Sequence, residues 1–277
     1  MRSLVIQMRI GILGCGFIGR TIGGSLDQMQ GVDRIPCIDS DYDSVVDMAS
    51  RLEKASIYRM EDMDGFLDSS DLVVECASQD AVVDYGREIV SRGKDLMILS
   101  VGALVDDGLW NGIRSTAKEN RCRLFIPSGA ISGIDGIFSG SMADIDCVTL
   151  TVTKPPRGLS LPESIHDRIS DLAKLKEPMT VFDGTAREAV RIFPKNVNVA
   201  ATIALAGVGF DRTRVKIVAD PNVDRNMHRV EVRGRFGEMK IRMINLPSDT
   251  NPRTSYMAPL SAISSIRKII EGVYIGN

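Results

Sequence analysis

The chain has 277 residues, 44% of them hydrophobic and 25% charged, enough apolar material for one large core or two modest ones. Thirty-four basic residues against 36 acidic ones leave a formal net charge of -2 and no Lys/Arg block that would track a phosphate backbone, so nucleic-acid binding is not expected. No apolar run reaches the roughly 18 residues of a membrane-spanning helix. The five cysteines, Cys15, Cys37, Cys76, Cys122 and Cys147, form no C-x-x-C pair. They read as reduced core residues, without a disulfide framework or a metal site, and point to a cytoplasmic setting.

The N-terminus, MRSLVIQMRIGILGCG, superficially resembles a signal peptide, but its apolar stretch runs into a glycine motif, so a short leader followed by a strand is expected. Met8 to Leu13 is that strand, and helical spacing follows from Phe17 to about Met29. Ile35 to Ile38 reads as a second strand and Ser44 to Leu52 as a helix. Leu72–Cys76, Leu96–Val101 and Arg123–Ile126 are further apolar strands, with helices predicted over Asp80–Ser91 and Asp107–Asn120. Short apolar strands alternating with helices imply a doubly wound parallel sheet over the first 126 or so residues. Residues 127–146 are rich in Gly, Ser and Ala, a composition that lets a backbone pass close to a ligand. Beyond them CVTLTVTK, VKIVAD and HRVEVRGRFGEMKIRMIN read as strands, the last as an antiparallel hairpin around Gly234 and Gly237. Residues 155–163, with three prolines, read as a loop, and Tyr256–Val273 as a final helix. The second half is therefore α+β.

Gly14, Gly16 and Gly19 form G-x-G-x-x-G directly after the first strand, with Asp39 at the end of the next one, 20 residues beyond Gly19. A turn that opens a helix in this way offers N–H groups to a pyrophosphate, so Gly14, Gly16, Phe17, Ile18 and Gly19 are the candidate cofactor residues. A carboxylate at Asp39, with Asp41 as a second candidate for the same role, accepts bonds from ribose hydroxyls and repels a 2′-phosphate, which favours NAD over NADP. FAD and S-adenosylmethionine use similar loops, and a glycine turn beside a solvated acidic loop is the plainer alternative.

Only two histidines occur, His166 and His228. His166 lies in a polar amphipathic segment and reads as surface. His228 lies between a turn-rich segment and a strand, where a catalytic proton-transfer role and a structural one are both open. Lys195, Asn196 and Asn198 follow Pro194 at a helix start. They either cap that helix or touch cofactor and substrate, with Lys195 an anion site or general base. Arg253, in NPRTSY, is a candidate partner for a substrate carboxylate or a plain surface arginine.

Taken together, GILGCGFIG, VVECASQDAVVDYG, LSVGAL, PSGAISGIDGIFSG, FPKNVNVAATIALAG, ADPNVDRNMH and NPRTSYMAPLS resemble the L-aspartate dehydrogenase family over nearly the whole chain from Met8 on. The resemblance implies reversible oxidative deamination of L-aspartate to iminosuccinate, then oxaloacetate and ammonia, with a link to NAD synthesis. It implies NAD as cofactor, with NADP also used in the family, and a homodimer. It implies an N-terminal Rossmann domain over residues 1–133, completed by a C-terminal helix over about 252–277, and a second α+β substrate and dimerisation domain over 134–251. By position, His228 matches the family's catalytic histidine, and Ala130 and Asn198 match its NAD-contacting residues. The alternatives are another two-domain reductase of homoserine or dihydrodipicolinate type, or a non-catalytic NAD-sensing module.

Overall fold

The computed structural model describes residues 7–159, 172–193, 198–246 and 255–276. The chain divides into two compact units, Met1–Pro127 with Pro259–Ile275, and Ser128–Ala258 with Gly276–Asn277.

The first unit holds a six-stranded sheet of β1 (Met8–Leu13), β2 (Val32–Ile38), β3 (Ala55–Ile57), β4 (Leu72–Glu75), β5 (Asp95–Ile98) and β6 (Leu124–Phe125), in the order β3-β2-β1-β4-β5-β6. Every pairing in it is parallel. The crossovers carry α1 (Phe17–Asp27), α2 (Tyr42–Ala49), α3 (Met63–Asp68), α4 (Gln79–Ser91) and α5 (Asp107–Glu119). The chain leaves β1 toward β2 on one side and returns to β4 on the other, so the carboxyl ends of β1 and β4 form the switch point where such sheets bind ligands. Four of these helices start on a side-chain cap, Asp41, Asp62, Ser78 and Asp106, each satisfying a first-turn N–H group. The predicted strands and helices of this half are present. β3 and α3 are additional, being too short to show a period. A final helix, Met257–Glu271, buries Ala262, Ile266, Ile269 and Ile270 in the cluster that contains Ile10 and Ile12 of β1.

The second unit is built on β7 (Ile145–Lys154), β8 (Met179–Thr185), β9 (Thr213–Ala219), β10 (Asn226–Gly234) and β11 (Gly237–Asn245), in the order β11-β10-β7-β9-β8. Only β7 and β9 run parallel. Alternation sets the faces: Val148, Leu150, Val152 and Lys154 of β7 point inward with Asn226, His228, Val230 and Val232 of β10. β10 and β11 form the predicted hairpin, closed by the Gly234–Gly237 pair, and Gly237 takes a φ of +115°. The Gly-rich stretch contains a helix that its composition hides, α6 (Ile134–Gly140). β8 and the helix Ala186–Ile192, started by a Thr185/Glu188 capping box, are likewise additional. All five cysteines are free. Cys15 and Cys37 are core residues as expected, whereas Cys147 is exposed because it takes an outward position on β7.

Candidate active site

In the first unit the chain turns from β1 into α1 within three residues, 14–16. Gly14 sits at φ +110°, where a Cβ would lie 2.6 Å from the Ala77 backbone nitrogen. At Gly19 a Cβ would come within 2.0 Å of the Gly14 carbonyl oxygen, so α1 packs this close to the turn only with glycine there. Gly16 differs: it is exposed, and a Cβ would meet nothing within 4 Å. Gly16 caps α1 without a side-chain acceptor, leaving the positive end of the helix facing open space. Half-buried Phe17 and Ile18 complete the first turn. This cradle fits a pyrophosphate.

Asp39 follows β2. Its Oδ2 accepts from the Cys15 backbone N–H at 2.6 Å and its Oδ1 from that of Asp41 at 2.9 Å. The carboxylate is thereby fixed against the glycine turn, with acceptor sites left for ribose hydroxyls. Asp41 takes a different part. It caps α2, accepting from the Asp43 N–H and the Ser44 hydroxyl, and these bonds hold its carboxyl below the usual range.

Next to the turn, Glu75 ends β4 with 1% exposure. Its Oε1 accepts from the N–H groups of Ala77 and Ser78 and from the Ser100 hydroxyl, and its Oε2 accepts from the Ser100 N–H at 3.0 Å. One carboxylate thus ties the loops after β4 and β5 together. Burial raises its proton affinity above the ordinary value, against the pull of those donors. A bond with Cys37 together with burial raises the neighbouring Cys15 thiol, and burial raises that of Cys76, which disfavours the thiolate at both.

In the second unit His228 is 6% exposed on the inward face of β10. Asn245 ends β11 on the same face, and its Nδ2 donates to the Ala130 carbonyl at 2.8 Å while lying 3.3 Å from His228 Nδ1. A carbonyl only accepts, so the Asn245 atom facing Ala130 must be the NH₂ group. The same NH₂ then donates to Nδ1, which places the ring proton of neutral His228 on Nε2. Burial, and then the charge of Lys154, lowers the His228 pKa from 6.5 to about 4, so the ring is neutral at physiological pH. His228 is a neutral hydrogen-bond donor through Nε2. A ring in this tautomer polarises an electronegative atom more readily than it abstracts a proton.

The structure therefore brings His228 and Ala130 together through Asn245, a residue that the sequence reading passed over. The signal was present: alternation on β11 aligns Asn245 with Asn226 and hence on the His228 face. Lys154 and Glu75 were passed over for a similar reason, each being a charged residue at the end of an apolar strand. Asn198 opens the helix Asn198–Ala206 and is exposed. Lys195, Asn196, Arg253 and His166 lie outside the described residues. Among the described residues, no group of three or more His, Cys, Asp or Glu is placed to hold a metal ion, and no helix is long and apolar enough to cross a membrane.

Comparison with known proteins agrees in both units. Residues 135–269 match the family described as aspartate dehydrogenase, C-terminal, and residues 14–127 match the NAD binding domain of homoserine dehydrogenase. The chain is 45% identical over 273 residues to an L-aspartate dehydrogenase of Methanosarcina acetivorans, covering 98% of this chain and 100% of that one. It is 43% identical over 271 residues to an L-aspartate dehydrogenase of Methanosarcina barkeri, with the same coverage of 98% and 100%. The crystal structure of an aspartate dehydrogenase from Thermotoga maritima matches with a TM-score of 0.76 at 29% identity, covering 98% of this chain and 100% of that one.

Proposed function

The chain belongs to the L-aspartate dehydrogenase family, and from this we propose that it oxidises L-aspartate with NAD, reversibly, to iminosuccinate and so to oxaloacetate and ammonia. The observation that carries the reading is identity of 45% across 98% of the chain, which spans both the nucleotide-binding half and the half that holds His228. The match to homoserine dehydrogenase concerns the nucleotide-binding half alone, so it does not favour homoserine as substrate.

The proposed division of labour follows from the residues. The Gly14–Gly19 turn, with Phe17 and Ile18, takes the pyrophosphate on the open N-terminus of α1. Asp39 accepts bonds from the adenosine ribose and disfavours a 2′-phosphate. Ala130 and Asn198 contact the cofactor by their match to the family motifs. NAD, when bound, supplies the acceptor for the hydride that leaves the substrate Cα. His228 offers its Nε2 proton to the reacting end of the substrate, polarising the C=N group for attack by water and for re-amination in reverse. Lys195, Asn196 and Arg253 are proposed contacts for the substrate carboxylates.

A cytoplasmic homodimer and a supply of iminosuccinate to NAD synthesis complete the proposal, resting on the family resemblance. Exposed Phe138, Met142 and Phe236 on the second unit favour self-association, which light scattering of the purified protein measures. The activity is tested by following NADH formation at alkaline pH with L-aspartate, D-aspartate, L-glutamate and L-homoserine. Turnover confined to L-aspartate is expected. Turnover of homoserine alone would overturn the reading, and NAD binding without any turnover would leave a sensor.

A further inference from the structure

Asn226 is 9% exposed and opens β10 on its inward face, two residues before His228. Residues two apart on a strand point to the same side and stand about 6.5–7 Å apart, so a four-carbon acid can touch both side chains at once. Across the hairpin Asn226 is paired with Asn245, whose own amide nitrogen is engaged by the Ala130 carbonyl and His228 Nδ1. The Asn226 side-chain amide, by contrast, makes no hydrogen bond within the chain. Among the described residues, the Ser56 hydroxyl is the one fully enclosed side-chain nitrogen or oxygen without a partner, so the polar atoms of Asn226 still reach open space. Val230 and Val232 continue the same face of β10 as apolar residues, which confines its polar groups to the end that holds His228. Most side-chain amides at this depth are paired within the chain. One that faces open space beside His228 is placed to bind a ligand.

We propose that the side-chain NH₂ of Asn226 donates a hydrogen bond to a carboxylate of the dicarboxylate substrate, which makes Asn226 a binding residue beside His228. The proposal rests on the reading of the chain as an L-aspartate dehydrogenase, and it adds a binding residue to that site. L-aspartate carries two carboxylates and one ammonium. In the tautomer set by Asn245, His228 presents its Nε2 proton to the reacting end of the substrate. A second neutral donor on the same face of the strand holds an acid group of the same molecule, and so fixes which end of it meets His228. A carboxamide does not titrate, so the contact persists over the pH range in which the substrate ammonium gains and loses its proton.

The test uses the full chain and the variants Asn226→Ala and Asn226→Asp. Initial rates with L-aspartate, inhibition by succinate, and NADH binding by fluorescence are compared. Succinate keeps both carboxylates and lacks the ammonium. Asn226→Ala is expected to raise KM for L-aspartate and the inhibition constant of succinate about 10- to 100-fold, with kcat within about threefold and the NADH Kd nearly unchanged. A folded Asn226→Ala with unaltered KM and succinate inhibition overturns the proposal, whatever its effect on stability. Asn226→Asp has nearly the same shape but puts a negative charge in place of the donor, and is expected to weaken both ligands further. Tighter L-aspartate with weaker succinate in that variant would mean that the side chain faces the ammonium, and overturns the proposal too. Should neither variant fold, a crystal structure of the wild type with NADH and succinate decides. Asn226 Nδ2 within about 3.2 Å of a carboxylate oxygen supports the proposal, and no such contact overturns it. Absence of L-aspartate turnover in the wild type would instead overturn the underlying reading of function.

Discussion

The amide nitrogen of Asn245 lies 3.3 Å from Nδ1 of His228, and the Ala130 carbonyl at 2.8 Å fixes which end of that amide faces the ring. The tautomer of His228 is thus set by a backbone oxygen 98 residues earlier in the chain. Asn245→Ala removes the donor that occupies Nδ1. The ring proton should then distribute between both nitrogens, and turnover should fall about 10- to 100-fold with NADH affinity little changed. With only two histidines in the chain, nitrogen-15 NMR reads the tautomer directly. A single Nε2-protonated form persisting in the variant would refute the role of Asn245.

His228 itself carries two predictions. His228→Ala should nearly abolish turnover while leaving NADH binding almost unchanged, and full turnover in the variant would rule out a catalytic part. The second concerns stability. A pKa lowered from 6.5 to about 4 means that the folded protein disfavours the charged ring. The associated stability is complete above about pH 6.5 and is lost as pH falls toward about 4. Relative to His228→Gln, the wild type should lose about 3 kcal/mol across that window. Denaturant titrations of both proteins at pH 7, 6, 5 and 4 measure this difference, and a constant offset would contradict it.

Two glycines of the turn should separate folding from binding. Gly19→Ala forces a Cβ to within 2.0 Å of the Gly14 oxygen, so a loss of about 1–3 kcal/mol in stability is expected. Gly16→Ala meets no atom within 4 Å, so stability should change by no more than about 0.5 kcal/mol, while the added methyl obstructs the pyrophosphate. Thermal unfolding and NADH titration of the two variants test the contrast, and equal effects on both readouts would remove the distinction.

Asp39→Ser should weaken NADH binding by roughly tenfold and narrow the preference over NADPH. It also removes the acceptor for the Cys15 N–H group, so the glycine turn loses an anchor. Parallel titrations with both reduced cofactors check the outcome. An unchanged ratio of the two affinities would exclude Asp39 as the discriminating residue.

The nucleotide-binding half was legible because its rules are local. A buried parallel strand is a continuous apolar run, and Met8–Leu13 ends at a glycine whose φ of +110° needs no side chain. The second half was only partly legible. α6 forms from IDGIFSG, a segment whose glycines and serine argue for a loop, and tertiary packing overrides that preference. The partners of His228 were hidden for another reason. Ala130 lies 98 residues from it in sequence, and Asn245, 17 residues away, comes alongside through the pairing of β10 with β11. For Asn245 the hairpin around Gly234 and Gly237 carries a signal, since its alternation aligns Asn245 with Asn226 on the His228 face, whereas no local pattern reports Ala130.

The Met257–Glu271 helix shares its core with β1. During synthesis Ile10 and Ile12 leave the ribosome about 250 residues before Ile266 and Ile270, which join them in one cluster. The nascent nucleotide-binding unit must wait through the whole intervening second unit with part of its apolar surface uncovered. Such long-range closure slows folding. It also makes the Met257–Glu271 helix a precondition for a finished core in the nucleotide-binding unit.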